Sequence, residues 1–465
     1  MSVIIEHGLT MVGFALCLVL IVKLLRDQRA PSVTAAWLLA IILIPYLGVP
    51  AYLLLGGRKI LRMARQKTSL YELQEPEPVD NGSPYSMIQR VLVTAGMPPA
   101  RAGNRVELIP HGNAGYRTMV SLIENAREYI HLNTFILGRD ETGKAIVDLL
   151  ARKAAEGVRV RFLLDALGCF WTYGRFVDPI RTAGGEVAVF MPMLPLRRKW
   201  SANLRNHRKL MVVDGQTAMV GGMNIATEYM GSDDNPERWL DTAAVISGPA
   251  VADLDAIFVS DWDFATDEAA ATEANEYPQH ETEPIADGTL AQIAASGPDT
   301  PGDAIYDAVI TAIMEAKQRI WITTPYFIPD EPLMMALLLQ VRLGRDVRIF
   351  VPKRSNHLLA DLARGRFLRE LIEHGAKVFT FERMVHAKLM LFDDHTAVIG
   401  SANIDSRSFY LNYEVQLLAY GRRETEAVAE WIEKASQGAG RFDPGPVSLP
   451  RRWAEDMAAL VAPLL

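Results

Sequence analysis

The chain opens with two long apolar runs. Residues 8–25 are apolar apart from Lys23, and residues 33–55 are 23 positions without a charge. Each is long enough to cross a hydrocarbon core of about 30 Å as a helix. A second run so soon after the first, and no basic stretch before it, favour a membrane hairpin over a cleaved leader. Pro45 and Pro50 should kink or break the second helix, which leaves a re-entrant form open. Beyond residue 85 the pattern changes. Apolar positions at helical spacing alternate with short β-rich strips, which predicts α/β layers with largely parallel or mixed sheets.

That alternation occurs twice. "YRTMVSLIENAREYIHLNT" from Tyr116 matches "YDAVITAIMEAKQRIWITT" from Tyr306 at an offset of 190 residues. Val120, Ile123, Ala126 and Ile130 correspond to Ile310, Ile313, Ala316 and Ile320. "VRVRFLLD" then parallels "DVRIFVP", and "GGEVAVF" parallels "HGAKVFTF". A duplication of this size predicts two similar lobes about a pseudo-twofold axis. Two polar stretches punctuate it. Residues 71–84 read as a linker, and residues 267–287 carry seven acids and no Lys or Arg, as an exposed insertion would. The expected division is a membrane hairpin over 1–60, a linker over 61–85, a first lobe over 86–266, an insertion over 267–300 and a second lobe over 301–465.

Composition narrows the picture. The net charge is −7, which does not suit a nucleic-acid binder. Two cysteines far apart offer no disulfide framework and no cysteine metal site. Arg58, Lys59, Arg62, Arg65 and Lys67 follow the second apolar run, which places the main domain on the cytoplasmic side. Residues 196–209 hold six basic residues beside Trp200, a segment suited to anionic headgroups or to an ordinary solvated loop. The end of the chain, "WAEDMAALVAPLL", is amphipathic as a helix and is read as core packing.

The chemistry lies in a repeated motif. "NHRKLMVVDGQTAMVGGMN" contains His207, Lys209, Asp214, Gly221, Gly222 and Asn224. "VHAKLMLFDDHTAVIGSAN" contains His386, Lys388, Asp393, Gly400, Ser401 and Asn403 at the same spacings. His and Lys two apart share one face of a strand. The strand turns at the aspartate and returns through the glycines, which brings the asparagine near the pair. A single H-x-K-x4-D turns up by chance in roughly one chain in fifty; the doubled, extended form does not. Each lobe therefore offers a nucleophile or base, a fixed cation and an amide donor, as displacement at a phosphodiester requires. Lysine is a poor metal ligand and no metal set accompanies the motif. His111, His131, His357 and His374 are taken as ordinary histidines.

These motifs resemble the phospholipase D superfamily, with its duplicated HKD motif. "APSVTAAWLLAIILIPYLGVPAYLLLGGRK", "GGMNIATEY", "RWLDT", "DWDFAT", "TPYFIPDE" and "GSANIDSRSFYLNYEV" resemble bacterial cardiolipin synthases of the two-motif, membrane-anchored kind. The first motif departs in having Gly222 where the second has Ser401. The resemblance implies a phosphatidyltransferase of the cytoplasmic (inner) membrane that needs no cofactor and no metal. One phosphatidylglycerol would be joined to another through a phosphohistidine, giving cardiolipin and glycerol. His207 is taken as the nucleophile and His386 as the acid and base, although either histidine is chemically eligible. Lys209, Lys388, Asn224 and Asn403 would hold phosphoryl oxygens, and Asp214 and Asp393 would be mainly structural. The resemblance also places a carboxylate after each asparagine to orient the histidine of its own motif: Asp241, 34 residues after His207, and Glu414, 28 after His386. Rival readings are a hydrolase that transfers to water, a synthase with phosphatidylethanolamine as donor, an HKD nuclease, and a lipid-binding scaffold with a dead site.

Overall fold

The computed structural model describes residues 17–22, 24, 31–46, 48–49, 52, 83, 85–192, 204–266, 282–300, 302–443, 445 and 447–461. The basic cluster 58–67, nearly all of the expected linker, residues 196–203 and residues 267–281 lie outside them, as do much of the two apolar runs.

Among the described residues the first half contributes seven strands: Arg101–Ile109 (β1), Tyr129–Thr134 (β2), Arg159–Asp165 (β3), Glu186–Phe190 (β4), Leu210–Val213 (β5), Thr217–Gly221 (β6) and Ala243–Ser247 (β7). The second contributes ten: Thr289–Ser296 (β8), Arg319–Thr323 (β9), Phe327–Ile328 (β10), Asp346–Pro352 (β11), Lys377–Phe381 (β12), Leu389–Phe392 (β13), Thr396–Gly400 (β14), Ile404–Asp405 (β15), Glu414–Tyr420 (β16) and Gly440–Arg441 (β17). The order β1-β7-β6-β5-β2-β3-β4 in the first half is repeated as β8-β16-β14-β13-β9-β11-β12 in the second. Strands β2, β3 and β4 pair parallel, whereas β5, β6 and β7 pair antiparallel, so each half is a mixed sheet.

The two sheets are one. Strand β1 pairs antiparallel with β8, Asn104 opposite Thr289, and fuses the halves into a 15-stranded sheet. Helices cover it. Ile123, Ala126 and Ile130 are buried, and so are their counterparts Ile313, Ala316 and Ile320. Their helices, Gly112–Asn125 and Ala304–Glu315, thus carry the helical apolar period into the strand that follows. His131 is buried, with Nδ1 against Asp255 (2.6 Å) and its ring stacked on Phe258, as a core histidine.

Near the start, Leu20 and Leu24 pack against Trp37, Ile41 and Tyr52. The helix Pro31–Leu43 ends two residues before Pro45, where the ring would clash with a continuing helix. Among the described residues no helix is long and apolar enough to cross a membrane. At the other end, the helix Leu449–Val461 meets the core-packing expectation on one face, where Ala458 packs on Ala360 and Ala363, and departs from it on the other. Among its described side chains only Glu455 and Ala458 are buried, while Leu449, Trp453 and Met457 face outward.

Candidate active site

Each HKD motif is a hairpin, β5–β6 in one half and β13–β14 in the other, in register from Leu210 opposite Val220 and from Leu389 opposite Ile399. The histidine and lysine lead into the first strand on one face. The aspartate closes the far end in the left-handed region, φ 51° at Asp214 and 54° at Asp393. Its carboxylate accepts three backbone N–H groups. Asp214 takes those of Arg127, Glu128 and Tyr129 at 2.8–2.9 Å. Asp393 takes those of Lys317, Gln318 and Arg319 at 2.7–3.0 Å. Both aspartates therefore stand outside the histidine cluster, each tying the start of the neighbouring strand to the hairpin. Although burial acts to raise the Asp393 carboxyl, its hydrogen bonds with His395 and with these amides hold it well below the usual range.

The histidines meet carboxylates from the opposite half. His207 Nδ1 lies 3.0 Å from Glu414, and His386 Nδ1 lies 2.7 Å from Asp241. The expected pairing within each motif is thus exchanged. The backbone is the cause. Asn206 bridges Tyr413 and Leu240 bridges Val385. The His207 amide donates to the Tyr413 carbonyl at 2.9 Å, and the His386 amide to the Leu240 carbonyl at 2.7 Å. The next residue after each bridge carries the carboxylate. Asp241 and Glu414 stand at equivalent places, two residues before Ala243 and Gln416, the partners of Gly221 and Gly400.

Burial sets the protonation states. It pushes His207 down to about 4 against the pull of Glu414. His386 is pushed down to about 3 by burial and by the neighbouring Lys388 charge, against Asp241. Burial thus favours the neutral form of both rings. Burial acts to raise Glu414 and Asp241, yet the neighbouring histidines and lysines hold both carboxyls below their ordinary values. Lys388, buried, is lowered to about 8, and burial lowers Lys209 as well. Each histidine also feels the lysine of the other half, so the two motifs form one site.

Lysine and asparagine are set by local bonds. The Lys209 ammonium donates to the His207 carbonyl at 2.6 Å and lies over the Phe135 ring. The Lys388 ammonium lies 2.8–3.0 Å from the His386 ring nitrogens. Asn224 Oδ1 accepts the Ile136 amide at 3.1 Å, which turns its buried Nδ2 towards the Tyr229 hydroxyl. Asn403 is buried, and its backbone N–H donates to Ser408 Oγ at 3.2 Å.

The Gly222/Ser401 difference has a steric origin. A Cβ on Gly222 would lie 2.3 Å from Asp241 Oδ1. In the other half Ser401 Oγ donates to the Glu414 carboxylate and accepts the Val415 amide. One carboxylate is therefore seated by a hydroxyl and by Asn412 Nδ2 (3.1 Å), the other by the Thr242 amide (2.8 Å).

Further residues complete the site. Phe135 meets His207 edge-on at 4.8 Å; Tyr229 and Trp239 flank His386 at 4.9 and 5.7 Å. Arg208, between His207 and Lys209, points to the opposite side of the strand. Fully buried, it ion-pairs with Asp261 at 2.7 Å and donates to the Glu414 carbonyl at 3.1 Å. Its equivalent in the second motif is Ala387. The two-residue period could have shown that Arg208 faces away from the site; nothing in the local sequence named its partner.

The chain matches the family model "Cardiolipin synthase, PLD-like domain" over residues 119–262 and 309–436. It matches "Phospholipase D-nuclease N-terminal" over residues 15–57. It is 33% identical to a cardiolipin synthase of Geobacillus thermodenitrificans, over 100% of this chain and 93% of that one. It is 34% identical to a cardiolipin synthase A of Pseudomonas putida, over 94% of each. Among solved structures it resembles phosphatidylserine synthase of Haemophilus influenzae, with a TM-score of 0.62 at 16% identity, over 82% of this chain and 100% of that one, a likeness of fold.

Proposed function

The chain belongs to the cardiolipin synthase family with PLD-like domains, and we propose that it works as one, with His207 and His386 dividing the chemistry. It is a phosphatidyltransferase that joins two phosphatidylglycerol molecules into cardiolipin and releases glycerol. The observation that carries the division of labour is the crossed pair of histidine–carboxylate contacts, His207 with Glu414 and His386 with Asp241.

Such a contact holds Nδ1–H and leaves Nε2 for chemistry. In the first step His207 Nε2 attacks the phosphorus. The bond from phosphorus to the headgroup glycerol breaks, and that oxygen takes a proton from His386. In the second step the terminal hydroxyl of another phosphatidylglycerol gives its proton to His386, and its oxygen displaces His207 from phosphorus. A neutral His207 suits the first step. The acid needs a proton, and the incoming phosphate supplies the reason for one: its negative charge offsets the two lysines and raises His386. Lys209, Lys388 and the Asn224 amide nitrogen face the oxygens on which charge develops. Phe135, Tyr229 and Trp239 form apolar walls that limit water and so favour transfer over hydrolysis.

We read residues 1–60 as the membrane anchor, 86–266 as the first catalytic lobe and 289–465 as the second; the acidic insertion expected over 267–300 stops short of Thr289, because Thr289–Ser296 (β8) is already a strand of the second half's sheet. Leu20, Leu24, Trp37 and Ile41 form an inner seam, while Leu18, Val19, Val22, Leu39, Ile42 and Leu43 face outward, as lipid contact would require. The basic residues 58–67 support a reading in which the lobes lie at the cytoplasmic face of a bacterial cytoplasmic membrane.

The test uses phosphatidylglycerol labelled in both headgroup and acyl chains, in mixed micelles, with His207→Ala and His386→Ala beside the wild type. Cardiolipin and free glycerol in equal amounts, lost in both variants, are expected. Phosphatidic acid as the main product would replace transfer with hydrolysis.

A further inference from the structure

Two groups of exposed apolar side chains flank the site, and nothing in the chemistry above uses them. In the first half the loop after β3 carries Leu167, Phe170 and Trp171, the last 78% exposed. Their neighbours on that loop are tied to the site. Cys169 Sγ donates to the carbonyl of Phe135, the ring against His207, at 3.3 Å. Thr172 Oγ1 donates to the Leu137 carbonyl at 3.1 Å, and Leu137 bridges Ile225, the residue after Asn224.

The second half repeats the placement with different parts. Ile404, the residue after Asn403, pairs with Phe327. Adjacent Ile328 packs on Ala360 and Ala363 of the helix Leu358–Glu373 and on Ala458 of the helix Leu449–Val461. Those helices present Leu358 (74% exposed), and Leu449, Trp453 (72%) and Met457. Leu449, Trp453 and Met457 fall at i, i+4 and i+8, one stripe on the face away from the protein. One apolar outcrop is thus linked to each half of the catalytic cluster. An exposed arginine accompanies each: Arg175 in the first half, Arg354 and Arg452 in the second.

We propose that these outcrops are paired interfacial anchors that seat the mouth of the site on a bilayer rich in anionic phospholipid. The inference rests on the cardiolipin synthase reading and deepens it. Tryptophan sits favourably where acyl chains meet headgroups, and arginine snorkels to the phosphates. A substrate phosphate lies at headgroup depth. A buried pair of histidines reaches it only if the rim around them enters the interface, with both sides of the mouth in contact at once. The anchors are separate in sequence from the N-terminal segments.

The experiment uses the full chain and two variants, F170S/W171S and W453S/M457S. Cardiolipin formation is measured with short-chain phosphatidylglycerol below its micelle threshold and with long-chain phosphatidylglycerol in vesicles. Each variant should match the wild type on dissolved lipid and lose at least about tenfold on vesicles. Vesicles carrying bromine high on the acyl chains should quench the tryptophan emission of the wild type more than that of W171F/W453F. Equal vesicle rates, or equal quenching, would overturn the proposal and leave the surface to some other partner. A wild type that forms no cardiolipin from either lipid would sink the functional reading, while the quenching comparison still decides the docking.

Discussion

His207 lies 3.0 Å from Glu414, a carboxylate 207 residues further along the chain and in the other half of the duplication. His386 and Asp241 repeat the exchange. Neither half holds a complete histidine–carboxylate unit, so these pairs exist only when both halves fold against each other. The duplication survives as one enzyme because each copy finishes the other.

Replacing Glu414 by Gln keeps its shape and removes its charge. The expected loss in kcat is about 10²–10⁴-fold, as when a histidine loses its orienting carboxylate. A substrate with an activated leaving group, such as a p-nitrophenyl phosphatidyl ester, separates the roles. It needs no acid to depart, so His386→Ala should retain a burst of nitrophenol and Glu414→Gln should lose it. The opposite pattern in stopped-flow absorbance would make His386 the nucleophile.

The glycine variant in the first motif predicts an asymmetry. Gly222→Ser forces a side chain against Asp241 and should displace it from His386, with kcat down at least about a hundredfold. Ser401→Gly removes one hydrogen bond to Glu414 and should cost about 1–2 kcal/mol in transition-state energy. Equal effects of the two changes on kcat would show that the close approach at Gly222 is dispensable.

Lys388, lowered to about 8 by burial, gives a pH limit. Below that pH the free enzyme carries the charge that attracts a phosphate; above it the charge is lost. Because a bound phosphate raises the lysine again, kcat/KM for phosphatidylglycerol should fall above about pH 8 while kcat holds to higher pH. Lys388→Arg, which stays charged, should remove that limb of the profile even if its rate is low. A kcat/KM that stays flat to pH 10 would contradict the assignment.

Asp393 is a test of structure without chemistry. Asp393→Ala frees three backbone N–H groups and should lower stability by about 2–4 kcal/mol in urea. Asp393→Asn keeps one acceptor oxygen and tolerates a positive φ, so it should lose less. Both should keep kcat in the cold. A Asp393→Ala chain of unchanged stability but no activity would move this residue into the reaction.

What the sequence determined is what short spacing determines. Two residues of separation put His207 and Lys209 on one face of a strand, and His386 and Lys388 likewise. The constant offset predicted two α/β copies, and the repeated strand order is that prediction in three dimensions. Amphipathic spacing placed the apolar helix positions that pack on the sheet. Tertiary structure decided whatever joins distant segments. The β1–β8 pairing that fuses the sheets, the exchange of Asp241 and Glu414, the Arg208–Asp261 pair and the outward stripe of the last helix each depend on which chain segments meet. A period along the chain says which side a residue takes. It does not say what stands opposite, because backbone bridges such as Asn206 with Tyr413 form between segments some two hundred residues apart and leave no local signal.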